Sequence, residues 1–267
     1  MSKERITSRA NPYIKEIAQL SERKHRIASG RFFFEGRKLF HEALENGVEL
    51  EAVLMTDSFF NKYKENNYPF RHISVTDEVY SKISAEKSPE GVFCVAKTLD
   101  KLHKLNIIYG SDSEESILLL DGLRDPGNVG TILRTAAAFG CDNVILSSDC
   151  AEIYNPKTVR AGMGAVFRQK TVTVSDMPGT VRTLREHGRK VLCATLDENS
   201  VSLQDMKISH QLSFVIGNEG NGIRQEVIDA ADGSVIIPML PGAESLNASA
   251  AATVLLWEQF KSTDKAH

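Results

Sequence analysis

From residue 117 onward, short apolar runs alternate with segments of helical period, and nothing else in this chain restricts its fold as strongly. The runs at 117–121, 143–147, 169–174, 190–195, 212–217 and 234–237 have almost no polar face to turn toward water and are too short to be helices. Helices are expected among them at 128–139, 156–164, 178–187, 222–231 and 247–260. Apolar strands joined through helices pair in parallel, so this part reads as an α/β fold with a parallel sheet covered on both faces. Such sheets place their ligands beyond the carboxyl ends of the strands, and the loops there are where chemistry is to be sought.

The earlier part of the chain reads as a second, smaller α/β module. A helix is expected over residues 12–28, then a strand and turn at Phe32-Phe33-Phe34-Glu35-Gly36, and a helix over Lys38–Asn46 ended by Gly47. Strands follow at Leu50–Met55, His72–Val75 and Gly91–Lys97, with a short helix at Glu78–Ser84. The stretch Asp100–Ser116 is polar and without periodicity, as a linker would be. The expected organisation is therefore a domain over residues 1–105, a linker at 106–116 and the parallel-sheet domain at 117–267.

Charge is distributed unevenly. Residues 1–31 hold eight Lys and Arg against three Glu, whereas the whole chain is at −3. A basic arm on an acidic body suggests a polyanionic partner, although a solvated helix face would look the same. Arg9, Lys15, Arg23, Lys24 and Arg26 are the candidate contacts for such a partner. No run approaches the length of a membrane span, and Met1–Arg5 has no apolar core of a signal peptide behind it. The four cysteines, Cys94, Cys141, Cys150 and Cys193, match no metal-ligand spacing and read as reduced thiols of a cytoplasmic protein.

Three segments carry chemistry. In the first, Asn128-Val129-Gly130-Thr131-Ile132-Leu133-Arg134 opens a helix that Gly140 can end, with Asn128 as an N-cap and Arg134 above the small residues Gly130, Ala137 and Ala138. That leaves a guanidinium with room for a phosphate or ribose. In the second, Phe214-Val215-Ile216 runs into Gly217-Asn218-Glu219-Gly220-Asn221-Gly222. Its glycine order is not the dinucleotide fingerprint, no Gly-Lys-Ser/Thr follows, and Glu219 would repel a pyrophosphate. A positively charged ligand without phosphate suits it better. In the third, a strand stops at Pro238 and an alanine-rich helix starts near Asn247, with Ser245 and Asn247 as rival caps. Taken singly, each feature has a structural reading: Arg134 pairing with an acid, Glu219 accepting turn amides, the glycines making turns.

Together, and in this order, the segments resemble the three motifs of the SpoU-type RNA 2′-O-ribose methyltransferases of the SPOUT superfamily. Asn128-x-Gly130-x-x-x-Arg134 with Phe139-Gly140, Ile216-Gly217-Asn218-Glu219-Gly220, and Ile237-Pro238-Met239 with Ser245-Leu246-Asn247-Ala248-Ser249 are the matching pieces. Phe33-Phe34-Glu35-Gly36-Arg37-Lys38-Leu39 and Ser88-Pro89-Glu90-Gly91-Val92 resemble the ribosomal-protein-like RNA-binding domain that precedes the catalytic domain in one branch of the family. One departure is Glu244, which adds a negative charge to the third-motif loop.

The resemblance implies a deep trefoil knot in the C-terminal domain, a homodimer formed through it, and S-adenosylmethionine as methyl donor. It implies that backbone groups of Gly217, Ile237 and Leu246 bind the donor in a bent form, with Thr195 and Met239 as neighbours. Arg134 would meet the ribose hydroxyl or its adjacent phosphate, Asn128 and Asn247 would orient the site, Ser245 would touch the ribose, and Glu219 would hold Arg134 or the loop amides. Because a guanidinium keeps its proton in proteins, Arg134 is expected to act as an electrostatic anchor, with water or phosphate taking the proton. The implied substrate is 23S ribosomal RNA, with no part for DNA, membrane or metal. A tRNA 2′-O-methyltransferase, a catalytically silent ribosome-binding factor and a dinucleotide-dependent enzyme are the alternatives.

Overall fold

Phe32, Phe33 and Phe34 are each at most 2 % exposed, so the strand that carries them is covered on both faces. It belongs to the first of two compact units, formed by the chain up to Leu99 together with Glu152–Phe167. The computed structural model describes residues 4–63, 70–99, 115–197, 199–209, 211–240, 242 and 245–262. In the first unit the elements are β1 (Glu4–Ile6), α1 (Pro12–Ala18), α2 (Arg23–Ser29), β2 (Arg31–Glu35), α3 (Arg37–Glu45), β3 (Leu50–Thr56), α4 (Asp57–Tyr63), β4 (Arg71–Val75), α5 (Asp77–Ile83) and β5 (Val92–Lys97). The sheet order is β1-β4-β3-β5-β2, with β5 antiparallel to both its neighbours and the rest parallel.

Alternation along β2 divides its aromatics between the two faces. Phe33 stacks on Phe93 at 4.7 Å in a core shared with Ile14, Ile17, Val79 and Tyr80. On the opposite face Phe32 meets Tyr154 at 4.6 Å and Phe34 meets Phe167 at 4.9 Å. The segment Glu152–Phe167, expected from its place in the sequence to pack with residues 117–267, is thus the cover of the first unit's second face.

The expected helix over 12–28 is two helices joined by a 3₁₀ turn at Gln19–Ser21, with Glu22 extended at φ −97° and ψ 133°. The cause lies downstream: Arg26 Nη1 donates to the carbonyls of Leu20 (2.7 Å) and Ser21 (2.9 Å), which a continuous helix would have turned toward its own amides. β1 and α4 had no counterpart in the sequence reading. Most of the expected linker, residues 100–114, lies outside the described residues.

The second unit takes in Asp100–Ala151 and the chain from Arg168 onward. Its described elements begin with β6 (Ile117–Leu120), α6 (Pro126–Ala138) and β7 (Asn143–Ser147); α7 (Pro156–Gly162) then belongs to the first unit. Next come β8 (Lys170–Val174), α8 (Met177–Glu186), β9 (Lys190–Ala194), β10 (Val201–Ser202), β11 (Leu212–Ile216), α9 (Gln225–Ala230), β12 (Gly233–Ile236) and α10 (Ala248–Lys261). The strands pair in parallel throughout, in the order β10-β12-β9-β11-β6-β7-β8. Met177, Val181, Leu184 and Val227 from α8 and α9 close one face, and α10 packs on α6 and β11. The helix expected at 222–231 is shorter than predicted, because residues 217–224 form a loop.

Candidate methyl-donor site

In a parallel sheet all carboxyl ends lie along one edge. β11 and β12 both pair with β9, so the loops after Ala194, Ile216 and Ile236 must come together there. They line a cavity of about 530 Å³. The predicted cofactor residues Thr195, Gly217, Ile237, Met239 and Leu246 all border it, as do Ser245 and Glu219. Among the described lining residues, Glu219 alone is charged.

The second-motif loop is shaped by Asn218. Its Oδ1 accepts from the amides of Gly220 (2.9 Å) and Asn221 (3.0 Å), and its Nδ2 donates to the carbonyl of Gly122 at 2.8 Å. The backbones of Asn218 and Gly222 exchange two hydrogen bonds, at 2.9 and 3.0 Å. This closure brings Gly222 against Gly217 so tightly that a Cβ on Gly217 would lie 2.5 Å from the Ile223 nitrogen and 2.6 Å from the Gly222 oxygen. Gly217 is therefore required by backbone packing.

The far end of the loop is held by a buried acid. Asp121, 1 % exposed, closes β6, and its carboxylate accepts from the backbone amide (3.0 Å), Nε (3.0 Å) and Nη2 of Arg224. Hydrogen bonding to Asp121 holds the Arg224 guanidinium above its ordinary pKa. Beside this pair, Ser147 accepts from the Gly122 amide and donates to Asp149 at 2.6 Å, which holds the Asp149 carboxyl below its usual value. Sequence reasoning passed over Asn218, Asp121 and Arg224. A lone acid ending the apolar run Ile117–Leu120 is the one signal that could have found Asp121; Arg224 carries none.

At the first motif the cap differs from expectation. Asp125, with Pro126 at the first helical position, accepts from the Asn128 amide at 2.7 Å and starts α6. The Asn128 side chain is thereby released, and its Nδ2 donates to Glu219 Oε1 at 2.7 Å, linking the first-motif helix to the second-motif loop. Arg134 is exposed and has no hydrogen bond or ion pair among the described residues; Glu219 holds Asn128 rather than the arginine. Gly140 follows the helix at φ +68°, as expected. Of the rival caps in the third motif, Asn247 is the one used: it accepts from the Ser249 amide at 2.9 Å and starts α10. Glu244 lies outside the described residues.

The predicted RNA contacts fare differently. Arg26 is 2 % exposed, with Nε and Nη2 on Glu152 at 3.0 and 2.5 Å and Nη1 on two carbonyls. A guanidinium so enclosed has no edge left for phosphate, and Arg26 is withdrawn as an RNA contact. Arg9 donates to the Glu78 carbonyl and the Ser81 hydroxyl, and Lys24 pairs with Glu22 at 2.9 Å. Lys15 and Arg23 are exposed.

Residues 115–257 match the SpoU rRNA methylase family, and residues 11–94 match an MRM3-like substrate binding domain. The chain belongs to the SpoU rRNA methylase family. As a SpoU methylase it is 29 % identical to the 23S rRNA (guanosine(2553)-2′-O)-methyltransferase RlmP of Bacillus subtilis (strain 168), across 94 % of this chain and 97 % of that one. The AdoMet-bound rRNA methyltransferase of Sinorhizobium meliloti has the same fold, with a TM-score of 0.83 at 29 % identity over 96 % of each chain. The SpoU methyltransferase AviRb of Streptomyces viridochromogenes, solved in complex with AdoMet, gives 0.79 at 25 % identity, covering 94 % of this chain and 97 % of that one.

Proposed function

We propose that this SpoU methylase transfers a methyl group from S-adenosylmethionine to a ribose 2′-hydroxyl of 23S ribosomal RNA. The observation that carries the reading is that five residues from three loops (Thr195; Gly217; Ile237, Met239 and Leu246) line one cavity of about 530 Å³, a size usual for small-molecule sites. The cavity fits this donor chemically. Apolar walls suit an adenosine, the glycine-rich backbone offers hydrogen-bonding groups, and the Glu219 carboxylate suits a sulfonium cation. Its described lining holds no cation to receive a pyrophosphate, which disfavours a dinucleotide.

When bound, S-adenosylmethionine supplies an electrophilic methyl group. Backbone groups of Gly217, Ile237 and Leu246 hold it, with Thr195 and Met239 alongside. Arg134, exposed and unpaired among the described residues, receives the phosphate next to the target ribose and lowers the pKa of the hydroxyl electrostatically. It keeps its own proton, so water or phosphate is the acceptor. Asn128 and Glu219 hold the first-motif helix and the second-motif loop in register, Ser245 meets the ribose, and Asn247 acts one step away by fixing the start of α10.

The first unit binds the RNA, the protein is cytoplasmic, and the active form is a homodimer with a trefoil-knotted second unit. The insertion of β11 between β6 and β9 supports the knot. An apolar face in which Trp257, 44 % exposed, lies 5.5 Å from Phe139 and 6.0 Å from Phe260 supports dimerisation.

The test is methyl transfer from labelled S-adenosylmethionine to purified 23S, 16S and transfer RNA, followed by mapping of 2′-O-methyl positions. One site in 23S rRNA is expected. Label confined to tRNA would overturn the substrate, and absence of both label and donor binding would overturn the enzyme. Arg134→Lys is expected to lose about tenfold or more in kcat, because a point charge does not replace the planar fork.

A further inference from the structure

Half of the eight cations of the basic N-terminal arm are already paired with carboxylates, while Arg9 donates to uncharged acceptors and Lys15 and Arg23 are exposed. Besides Arg26 and Lys24, Arg5 pairs with Asp57 at 2.7 Å, and Arg31, 16 % exposed, binds both Glu16 and Glu51. A cation already paired releases few counterions when RNA arrives and must give up a partner to bind it.

A different group in the same unit is arranged the opposite way. Arg37, Lys38 and Lys62 are exposed and have no carboxylate partner among the described residues. The Arg37 guanidinium lies 4.4 Å from the centre of the Tyr63 ring and Lys62 Nζ 5.1 Å from it. Tyr63 is itself held 4.8 Å from Phe59, which is buried. The backbone of Arg37 is fixed too, since its amide donates to Glu90 Oε2 at 2.8 Å. Glu90 is the one carboxylate beside the patch in these contacts, and it takes the Arg37 amide rather than its side chain. An arginine stacked on an anchored aromatic ring, with no guanidinium N–H bonded to another described residue, is pre-organised for a planar or bidentate ligand.

We propose that Arg37, Lys38, Lys62 and Tyr63 form the surface on which the first unit receives the RNA backbone. Arg37 takes a phosphate through its free N–H edge, or stacks a base on its outer face, while Lys38 and Lys62 neutralise adjacent phosphates. The inference rests on the reading of RNA as substrate and places the contact on α3 and α4 rather than on the N-terminal arm.

The experiment measures binding of the full chain to a 23S rRNA transcript by filter retention across a salt series, with S-adenosylmethionine binding by calorimetry on the same preparations. The set Arg37→Gln, Lys38→Gln, Lys62→Gln is expected to bind at least about tenfold more weakly, with a slope of log K against log salt shallower by about 2. A control set removing the same charge from paired cations, Arg5→Gln, Lys24→Gln, Lys97→Gln, is expected to change the slope far less. Lys97 pairs with Glu49 at 2.8 Å. Tyr63→Leu, which keeps apolar packing on Phe59 but removes the ring beneath Arg37, is expected to weaken RNA binding severalfold with unchanged donor binding. Equal losses in the two triple sets, or no loss in the first, would overturn the surface. Wild-type chain that binds RNA through this patch yet fails to bind S-adenosylmethionine would leave the surface standing and remove the methyltransferase reading.

Discussion

In the second unit, the loop at 217–222 that borders the cavity is shaped by backbone groups, set by Asn218, Gly217 and the exchange of hydrogen bonds with Gly222. In the first unit, the groups proposed to meet RNA are long side chains, and their availability depends on which of them already have partners. The contrast has a physical basis. A small cofactor of fixed shape is best met by a rigid concave wall, whereas a polyanion is met by charges whose strength depends on their neutralisation. It follows that a glycine-rich loop can be recognised from residue order, while a basic cluster cannot be judged until its acids are located in space.

The largest effect that would sharpen this contrast is expected at Gly217. Gly217→Ala should weaken S-adenosylmethionine binding by about 100-fold, because the methyl collides with backbone that cannot yield. Gly220→Ala, in the same loop, would place its methyl 3.6 Å from Asn218 Oδ1 and should cost less than about threefold. Calorimetric titration of both variants checks it, and equal losses would break the claim that backbone closure at Gly217 shapes the wall.

Next in size is Arg26. Arg26→Met leaves Glu152, 14 % exposed at the side chain, without its partner and should destabilise the chain by about 3 kcal/mol. RNA affinity of the folded variant should stay within about twofold. Thermal melts beside filter binding decide this: weakened RNA binding at unchanged stability would return Arg26 to the RNA surface. A smaller loss, about tenfold in kcat, is expected for Asn128→Ala, which removes a charged-group hydrogen bond between the two motifs. Glu219→Gln keeps an acceptor for Asn128 and should lose less; single-turnover rates separate the pair.

The smallest effects are in pH. Burial raises the Glu35 carboxyl above its ordinary value of 4.5, so the folded first unit binds the proton more tightly than the unfolded chain. That contribution to stability is lost as pH rises from 4.5 through the raised value. The Ser147 hydrogen bond lowers Asp149 below 3.8, so its contribution is present above 3.8 and is lost as pH falls through the lowered value. Urea midpoints measured from about pH 3 to pH 7 should show Glu35→Gln flattening the first slope and Asp149→Asn the second. A single common slope in wild type and both variants would contradict the assignment.

Much of the second unit was legible because its signals are local. Short apolar runs become the buried strands β6, β7, β9 and β11 within a residue or so, and Gly140 ends its helix where expected. The neighbours of the cavity could be named because motif order carries them. The cap of α6 was misread because Asp125 and Asn128 are both good caps, and only Pro126 at the first helical position separates them. The break after Ala18 is set by Arg26, and the status of Arg26 in turn by Glu152, 126 residues away. No window of sequence holds such information. β1 and β10 were missed because strands of three and two residues carry too little alternation to register.

The excursion Glu152–Phe167 bears on heredity as much as on packing. Because it supplies Tyr154 and Phe167 to the far face of β2, the first unit is written in two separated stretches of the gene. A single crossover near residue 100 that joined a foreign first module to the rest of this chain would remove Phe32 and Phe34 and leave Tyr154 and Phe167 without the rings they pack on. Lineages that exchange such modules must therefore exchange a second, short stretch from inside the methylase coding region, or leave the pair together.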